Sequence, residues 1–230
     1  MTIESIVPTR SSIPLSFGPP RLEEYNVLGQ ISQEAFEVSG RAVFGQCNRE
    51  EVLPFRVSLL RHKDHLRQLY DQGKIQTCHR VMVARNASTD QVVGLAIWAI
   101  EDDWSQEGIN LREQEGKLAV PTAPLPTGTN TLLWDTVWKT FEKMQHQHLK
   151  NLPRYLEYLC VDARVQRTGA GKALLDIVRK DADDRLIWLE AADTPPAVKF
   201  YTKHHFENLG GFKVGDLHYT AMKLDSTAPW

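Results

Sequence analysis

The sequence predicts an α+β domain built on a mixed sheet, and three observations carry that expectation. Two strand-like segments, His79–Arg85 and Val92–Ile100, flank the turn-rich Asn86-Ala87-Ser88-Thr89-Asp90 and read as an antiparallel hairpin. Further on, an apolar strand ending at Val161 passes through a polar turn into a helix, and the short apolar run Ile187-Trp188-Leu189-Glu190 follows that helix. The 230-residue chain is 42% hydrophobic and 24% charged, which suits one domain with a sizeable core.

Each element can be argued in order. Residues 1–20 are rich in Pro and Ser and read as an irregular arm with a short strand near Ile13–Phe17. Residues 21–225 read as one domain, and 226–230 as a tail. Helical spacing appears at Leu28, Ile31, Ala35 and Phe36. A second helix is marked by Leu59, Leu60, Leu66, Leu69 and Tyr70 and ended by Gly73. After the hairpin, residues 101–129 are polar and then rich in Pro, Gly and Thr, so they read as a long loop insertion. Asp102, Asp103, Glu107, Glu113 and Glu115 cluster there. They read either as a solvated loop or as an acidic rim on a lid. Thr131–Lys150 is a helix whose stripe of Leu133, Trp134, Val137, Trp138, Phe141 and Met144 is expected in the core, with a pocket wall as the alternative. The closing strand is expected around His218–Leu224, and no internal repeat is visible.

Composition excludes several classes. A net charge of −2 gives no electrostatic case for nucleic-acid binding. Three cysteines, Cys47, Cys78 and Cys160, are an odd number without metal-ligand spacing, which points to a reduced, cytoplasmic setting. No apolar run approaches the ~20 residues of a membrane span, and no signal-peptide core is expected at the N-terminus. The pairs His62/His65, His146/His148 and His204/His205 lack Cys or acidic partners at suitable spacing, so they read as surface histidines and no metal is expected.

The chemistry-bearing stretch is Leu156–Leu175, LEYLCVDARVQRTGAGKALL. Gln166-Arg167-Thr168-Gly169-Ala170-Gly171 opens a helix directly after the strand. Two glycines there expose successive backbone N–H groups at the positive end of a helix dipole, and Arg167 and Lys172 add charge. A diphosphate is the natural occupant. A Walker A loop is excluded, because Gln166 and Ala173 stand where Gly and Ser or Thr are needed. A dinucleotide fingerprint is excluded because Leu174 replaces its third Gly. The remaining pattern, V-D-x-x-x-Q-R-x-G-x-G-x-x-L-L, closely resembles the acyl-CoA-binding segment of the GNAT superfamily of N-acetyltransferases. Downstream, Ala197-Val198-Lys199-Phe200-Tyr201-Thr202-Lys203-His204-His205-Phe206 resembles the family's second signature. His205 stands where Gly is usual and Thr194 where Asn often precedes. Together the two signatures cover roughly residues 150–225.

The resemblance implies a GNAT-like mixed, mostly antiparallel central sheet, splayed at its middle and flanked by helices on both faces. It implies acetyl-CoA as cosubstrate and a primary amine as acceptor. The diphosphate would be anchored by backbone N–H groups of Gln166, Arg167, Thr168, Gly169, Ala170, Gly171 and Lys172. The amide-rich pantetheine would pair with the backbone of Leu159, Cys160 and Val161 as an added strand. Tyr201 matches the Tyr that protonates the leaving thiolate. A base is useful because an alkylamine has a pKa around 10. Glu190, at the end of a buried-looking strand, is the first candidate. Its context resembles the strand of ribosomal-protein N-terminal acetyltransferases on which a Glu serves as base. Glu157 is the rival, placed by simple alternation on the face of Leu159 and Val161. The third option is no side-chain base. Cys160 is expected buried on the cofactor strand, not acting as a nucleophile, and His205 is a candidate for substrate contact or a helix C-terminal cation. A small-molecule amine is the favoured acceptor, a protein N-terminus or lysine the next, and a non-catalytic CoA-binding sensor the rival from another class. A monomer or homodimer is expected.

Overall fold

The hairpin expected from alternation is the spine of the sheet. In the computed structural model β2 (Cys78–Asn86) pairs antiparallel with β3 (Val92–Ile100). The structure describes residues 13–100, 106–148, 154–183, 185–192 and 194–225. Val93 to Ala99 are all buried, as the continuous apolar run of a strand covered on both faces requires. Around this pair lie β1 (Leu15–Gly18), β4 (Arg154–Val161), β5 (Ile187–Ala192), β6 (Glu207–Val214) and β7 (Leu217–Leu224), in the order β1-β2-β3-β4-β5-β7-β6. Every neighbouring pair is antiparallel except β4 with β5. The mixed, mostly antiparallel sheet is therefore as expected.

Helices cover both faces. On one, α1 (Tyr25–Ala35), α2 (Glu37–Phe44), α3 (Arg49–Asp71) and α5 (Thr131–His148) pack through Leu28, Ile31, Val57, Phe55 and Val137. On the other, α6 (Ala170–Ala182) and α7 (Pro195–Lys203) pack through Leu174, Leu175, Val178 and Phe200 against Trp98, Leu156 and Leu189. The buried indole of Trp98 donates to Asp181 at 2.7 Å, so its polar edge is satisfied. Glu24 and Arg85, both buried, form a bidentate pair at 2.6 and 2.7 Å that ties the N-terminal segment to β2.

Three elements depart from the sequence expectation. Helix α2, EVSGRAVF, mixes Gly, Ser and Val and has little intrinsic helicity, and burial of Val43 and Phe44 holds it. Strand β6, ENLGGFKV, carries Gly210 at φ 119° beside a bulge and alternates poorly, and its partner β7 sustains it. The supposed loop insertion 101–129 contains a helix, α4 (Gln106–Gly116). Its residues show no apolar stripe, which is why periodicity missed it. The 1–12 arm, Asp102, Asp103, the 149–153 segment and the 226–230 tail lie outside the described residues.

Candidate active site

Strands β4 and β5 pair only at Arg154↔Ile187 and Tyr155↔Trp188, although both continue well beyond. They part where β4 carries an irregularity: Ile97 of β3 faces Tyr158 and Trp98 faces Leu156, so Glu157 is an extra residue with no partner on β3. A bulge bends a strand and increases its local twist, and here it sits just past the last β4–β5 pair. The splay thus has a local cause in β4. Residues 156–161 remain paired with β3 on one edge only, leaving an edge toward the gap that an amide-bearing chain can use.

The bulge also corrects the expected phase of Glu157. Leu156, Leu159 and Val161 pack on the α6 side, whereas Tyr158 and Cys160 pack with α1 and α3. Glu157 does not share the face of Leu159 and Val161. It joins Tyr158 on the wall of a cavity under α2, α3 and α5, because the extra residue breaks simple alternation. Its carboxylate, 7% exposed, meets Lys63 Nζ of α3 at 2.8 Å (Oε1) and 2.7 Å (Oε2).

Glu190 reaches the same cavity from β5. Its Oε1 accepts hydrogen bonds from Trp188 Nε1 at 2.6 Å and Gln145 Nε2 at 3.2 Å. The cavity, about 120 Å³, is walled by aromatic side chains, among them Phe44, Phe55, Trp134, Trp138 and Tyr219. A second cavity of about 260 Å³ shares Leu59, Trp134, Trp138, Glu157 and Tyr158 with it. The Trp134/Trp138/Phe141 stripe therefore serves as pocket wall as well as packing. Its rings meet edge-on at 5.7 and 5.9 Å.

At the far end of β4 the Gly loop has the conformation its sequence implies. Asp162 accepts from Arg164 N at 2.8 Å and holds the turn. Arg167 has φ 66° and Gly169, the N-cap of α6, has φ 95°. Left-handed residues at such a spacing turn backbone N–H groups toward one side, and a Cβ built on Gly169 meets no atom within 4 Å. The first N–H groups of an α-helix have no intrahelical acceptor, so the open space over Gly169 suits an anion. Lys172 is already engaged by Asp176 at 2.7 Å, which reduces the charge it can offer.

Tyr201 lies on the α6–α7 side, with its ring against Phe200 and Phe206 at 5.2 and 5.3 Å. Burial, with the nearby Cys160, pushes its phenol upward, so it keeps its proton at neutral pH. Cys160 is 1% exposed and burial pushes its thiol up to about 12, which leaves it unionised. His205 is exposed at φ 67°, immediately beyond the end of α7, where Phe206 N donates to Tyr201 O at 3.0 Å. It fills a left-handed helix-terminating position, which explains the Gly usual there.

The acidic-rim expectation for residues 101–129 does not hold for Glu115. Its buried carboxylate accepts from Gln76 N at 2.6 Å and Thr77 N at 3.0 Å and so holds the approach to β2. The rest of the segment is strapped along α3. Val120 meets His62 and His65 at 2.8 Å, Ala123 N donates to Ser58 at 2.8 Å, and Thr127 N donates to Glu51 at 2.7 Å. Thr122 lines the larger cavity, so the strap forms part of its wall. Arg56 and Lys63 of α3 went unnoticed in the sequence, since a charged residue on a long helix carries no signal that it points inward. Among the described residues no group of three or more His, Cys, Asp or Glu could hold a metal ion, and no helix is long and apolar enough to cross a membrane.

Among the described residues the sheet is open and mixed, and it parts at the parallel β4–β5 pair, beside a helix capped by Gly169. Residues 141–226 match the family described as acetyltransferase (GNAT) domain. Solved structures with the same fold include a protein from Corynebacterium glutamicum described as a histone acetyltransferase and related acetyltransferase. It has 19% identity and a TM-score of 0.55, over 94% of this chain and 98% of that one. An N-acetyltransferase from Staphylococcus aureus has 14% identity and a TM-score of 0.55, over 91% and 100%. The PaiA N-acetyltransferase from Thermoplasma acidophilum, in complex with coenzyme A, has 11% identity and a TM-score of 0.50, over 93% and 99%. No curated protein matches the sequence. Residues 141–226 thus resemble a GNAT acetyltransferase domain, and the chain as a whole shares the fold of these solved structures.

Proposed function

We propose that the protein transfers acetyl from acetyl-CoA to the primary amine of a small molecule, directly, in a ternary complex. The observation that carries this reading is the junction at the splay. Past Tyr155 β4 has an open edge that can support an amide-bearing cosubstrate, and two carboxylates, Glu157 and Glu190, stand on the cavity beside that opening. The cavity lies beneath α2, α3 and α5, a covered site that suits a small amine better than a protein segment.

Bound acetyl-CoA supplies a thioester carbonyl and a thiolate leaving group. Backbone N–H groups from Gln166 to Lys172 hold its diphosphate, and the Leu159–Val161 backbone aligns its pantetheine. Tyr201, protonated and on the cofactor side, returns a proton to the departing sulfur. Glu190 takes the proton of the incoming ammonium, directly or through water, because both oxygens of Glu157 face Lys63. Glu157 and Lys63 then fix the wall against which the amine rests.

Thiol release from acetyl-CoA over an amine panel tests this. Wild type should show amine-dependent release, and Glu190→Gln should lose about 10²-fold in kcat at pH 7, within the usual range for general base catalysis, with part of the loss recovered at pH 9. Full activity of Glu190→Gln across that range would remove the carboxylate from the mechanism.

A further inference from the structure

The acceptor cavity contains a buried cation that the transfer reaction does not use. Arg56, on α3, is 8% exposed and lines the aromatic cavity. Its Nε has no hydrogen-bond partner, and its Nη1 makes only a long contact with Ser32 Oγ at 3.4 Å. No carboxylate among the described residues forms an ion pair with it. Its guanidinium lies 5.7 Å from the centre of the Phe44 ring, another cavity-wall residue. Gly40 lets the backbone of α2 come close to this group, since a Cβ there would lie 3.1 Å from Nη2.

Burying a guanidinium without a counter-ion is unfavourable, because desolvation is not offset by an ion pair. A partner that enters with the substrate removes that penalty. The planar fork has five N–H donors and matches a carboxylate in two parallel hydrogen bonds. Elsewhere on the wall the charges have the opposite sign or are compensated: Glu190 on β5, and Glu157 closed by Lys63. The cavity therefore has a carboxylate-binding end on α3, an amine-binding end on the splayed strands, and aromatic rings between.

We propose that the acceptor is an amino carboxylate with an apolar or aromatic body, bound by Arg56 through its carboxylate and presenting its amine to Glu190. This rests on the N-acetyltransferase reading for the amine end alone, as the carboxylate end is a binding site testable without turnover.

The binding test uses 3-phenylpropionate, which has no amine, beside the neutral 3-phenylpropan-1-ol, both by calorimetry. Wild type should bind the carboxylate about 10-fold or more tightly than the alcohol, the scale of a charge-assisted hydrogen bond. Arg56→Met should lose that preference, and Arg56→Lys, which keeps charge without the fork, should keep part of it. Equal affinity of wild type for the two compounds overturns the proposal, and that comparison stands even where Arg56→Met does not fold. The turnover test compares phenylalanine with phenethylamine and 4-(aminomethyl)benzoate with benzylamine. At least one carboxylate member should exceed its partner about 10-fold in kcat/KM. An advantage for the plain amine in both pairs also overturns the proposal. Carboxylate binding that depends on Arg56, with no acetylation of any amine, would uphold this site and refute the proposed reaction.

Discussion

Gly171→Asp separates the cofactor site from the fold, because its effects on affinity and on stability have opposite signs. Gly171 lies in the first turn of α6 without a positive φ. A Cβ there meets Phe200 and Val161 at 3.5 Å, ordinary van der Waals contact, so a Cβ is accommodated. An acidic residue in a first helical turn interacts favourably with the dipole, by ~0.3–1 kcal/mol. For a chain of this size that is a rise in Tm of a few degrees at most, at ~2–4 °C per kcal/mol. A diphosphate bound to the same N–H groups meets that carboxylate. At ~5 Å and an effective dielectric of ~20, one such charge pair costs ~3 kcal/mol. Salt screening at this half-buried position trims the effect, leaving a loss of about 10- to 100-fold in affinity. Calorimetric titration with CoA, beside thermal melts of wild type, Gly171→Ala and Gly171→Asp, measures both quantities. Gly171→Ala, which adds only the 3.5 Å contacts, should bind nearly as wild type does. Unchanged CoA affinity in Gly171→Asp, with its melting temperature held or raised, would refute the anion site.

Two further outcomes follow from the same geometry. Tyr201→Phe should lower kcat about 10²-fold with CoA affinity unchanged. Because burial pushes this phenol upward, its ionisation should give wild type no falling limb between pH 6 and 9, and a variant with full kcat across that range contradicts the acid role. Burial, reinforced by Lys63, His62 and Arg112, pushes the His79 imidazole down to about 3, so it stays neutral in the fold while the unfolded chain protonates near pH 6.5. The unfolded state then binds the extra proton throughout that window, and the contribution is lost as pH falls from about 6.5 toward 3. The stability difference between wild type and His79→Gln should therefore shrink with acidification by up to ~1.4 kcal/mol per pH unit, and parallel denaturation curves at pH 7 and pH 4.5 count against it.

What the sequence disclosed and what it hid divide along the range of the forces involved. The hairpin, α5, α6 and the final strand are written in local periodicity, and the glycine loop in residue types that only a special backbone needs. Helix α2 and strand β6 were hidden because their stability comes from partners distant in the chain. Val43 and Phe44 are held by α3 and α5, and Gly210-Gly211 by β7. The same reasoning covers the site. Tyr201 and Glu190 sit on elements flanking the gap and could be named from pattern. Arg56 and Lys63 could not, because on a 23-residue helix only the packing decides which charged side chains turn inward.

Glu157 shows how one residue converts a strand into a site. Without the extra residue, alternation would place its carboxylate on the α6 side among Leu159 and Val161, where an ion finds no partner. With it, the carboxylate turns to the α3 side and meets Lys63, and β4 bends away from β5 just past Tyr155. The opening of the sheet and the arrival of charge at that opening are thus one structural event. Arg56 then completes the cavity from the helix above. The open edge proposed for the cofactor and the placement of Glu157 both depend on where β4 leaves its register.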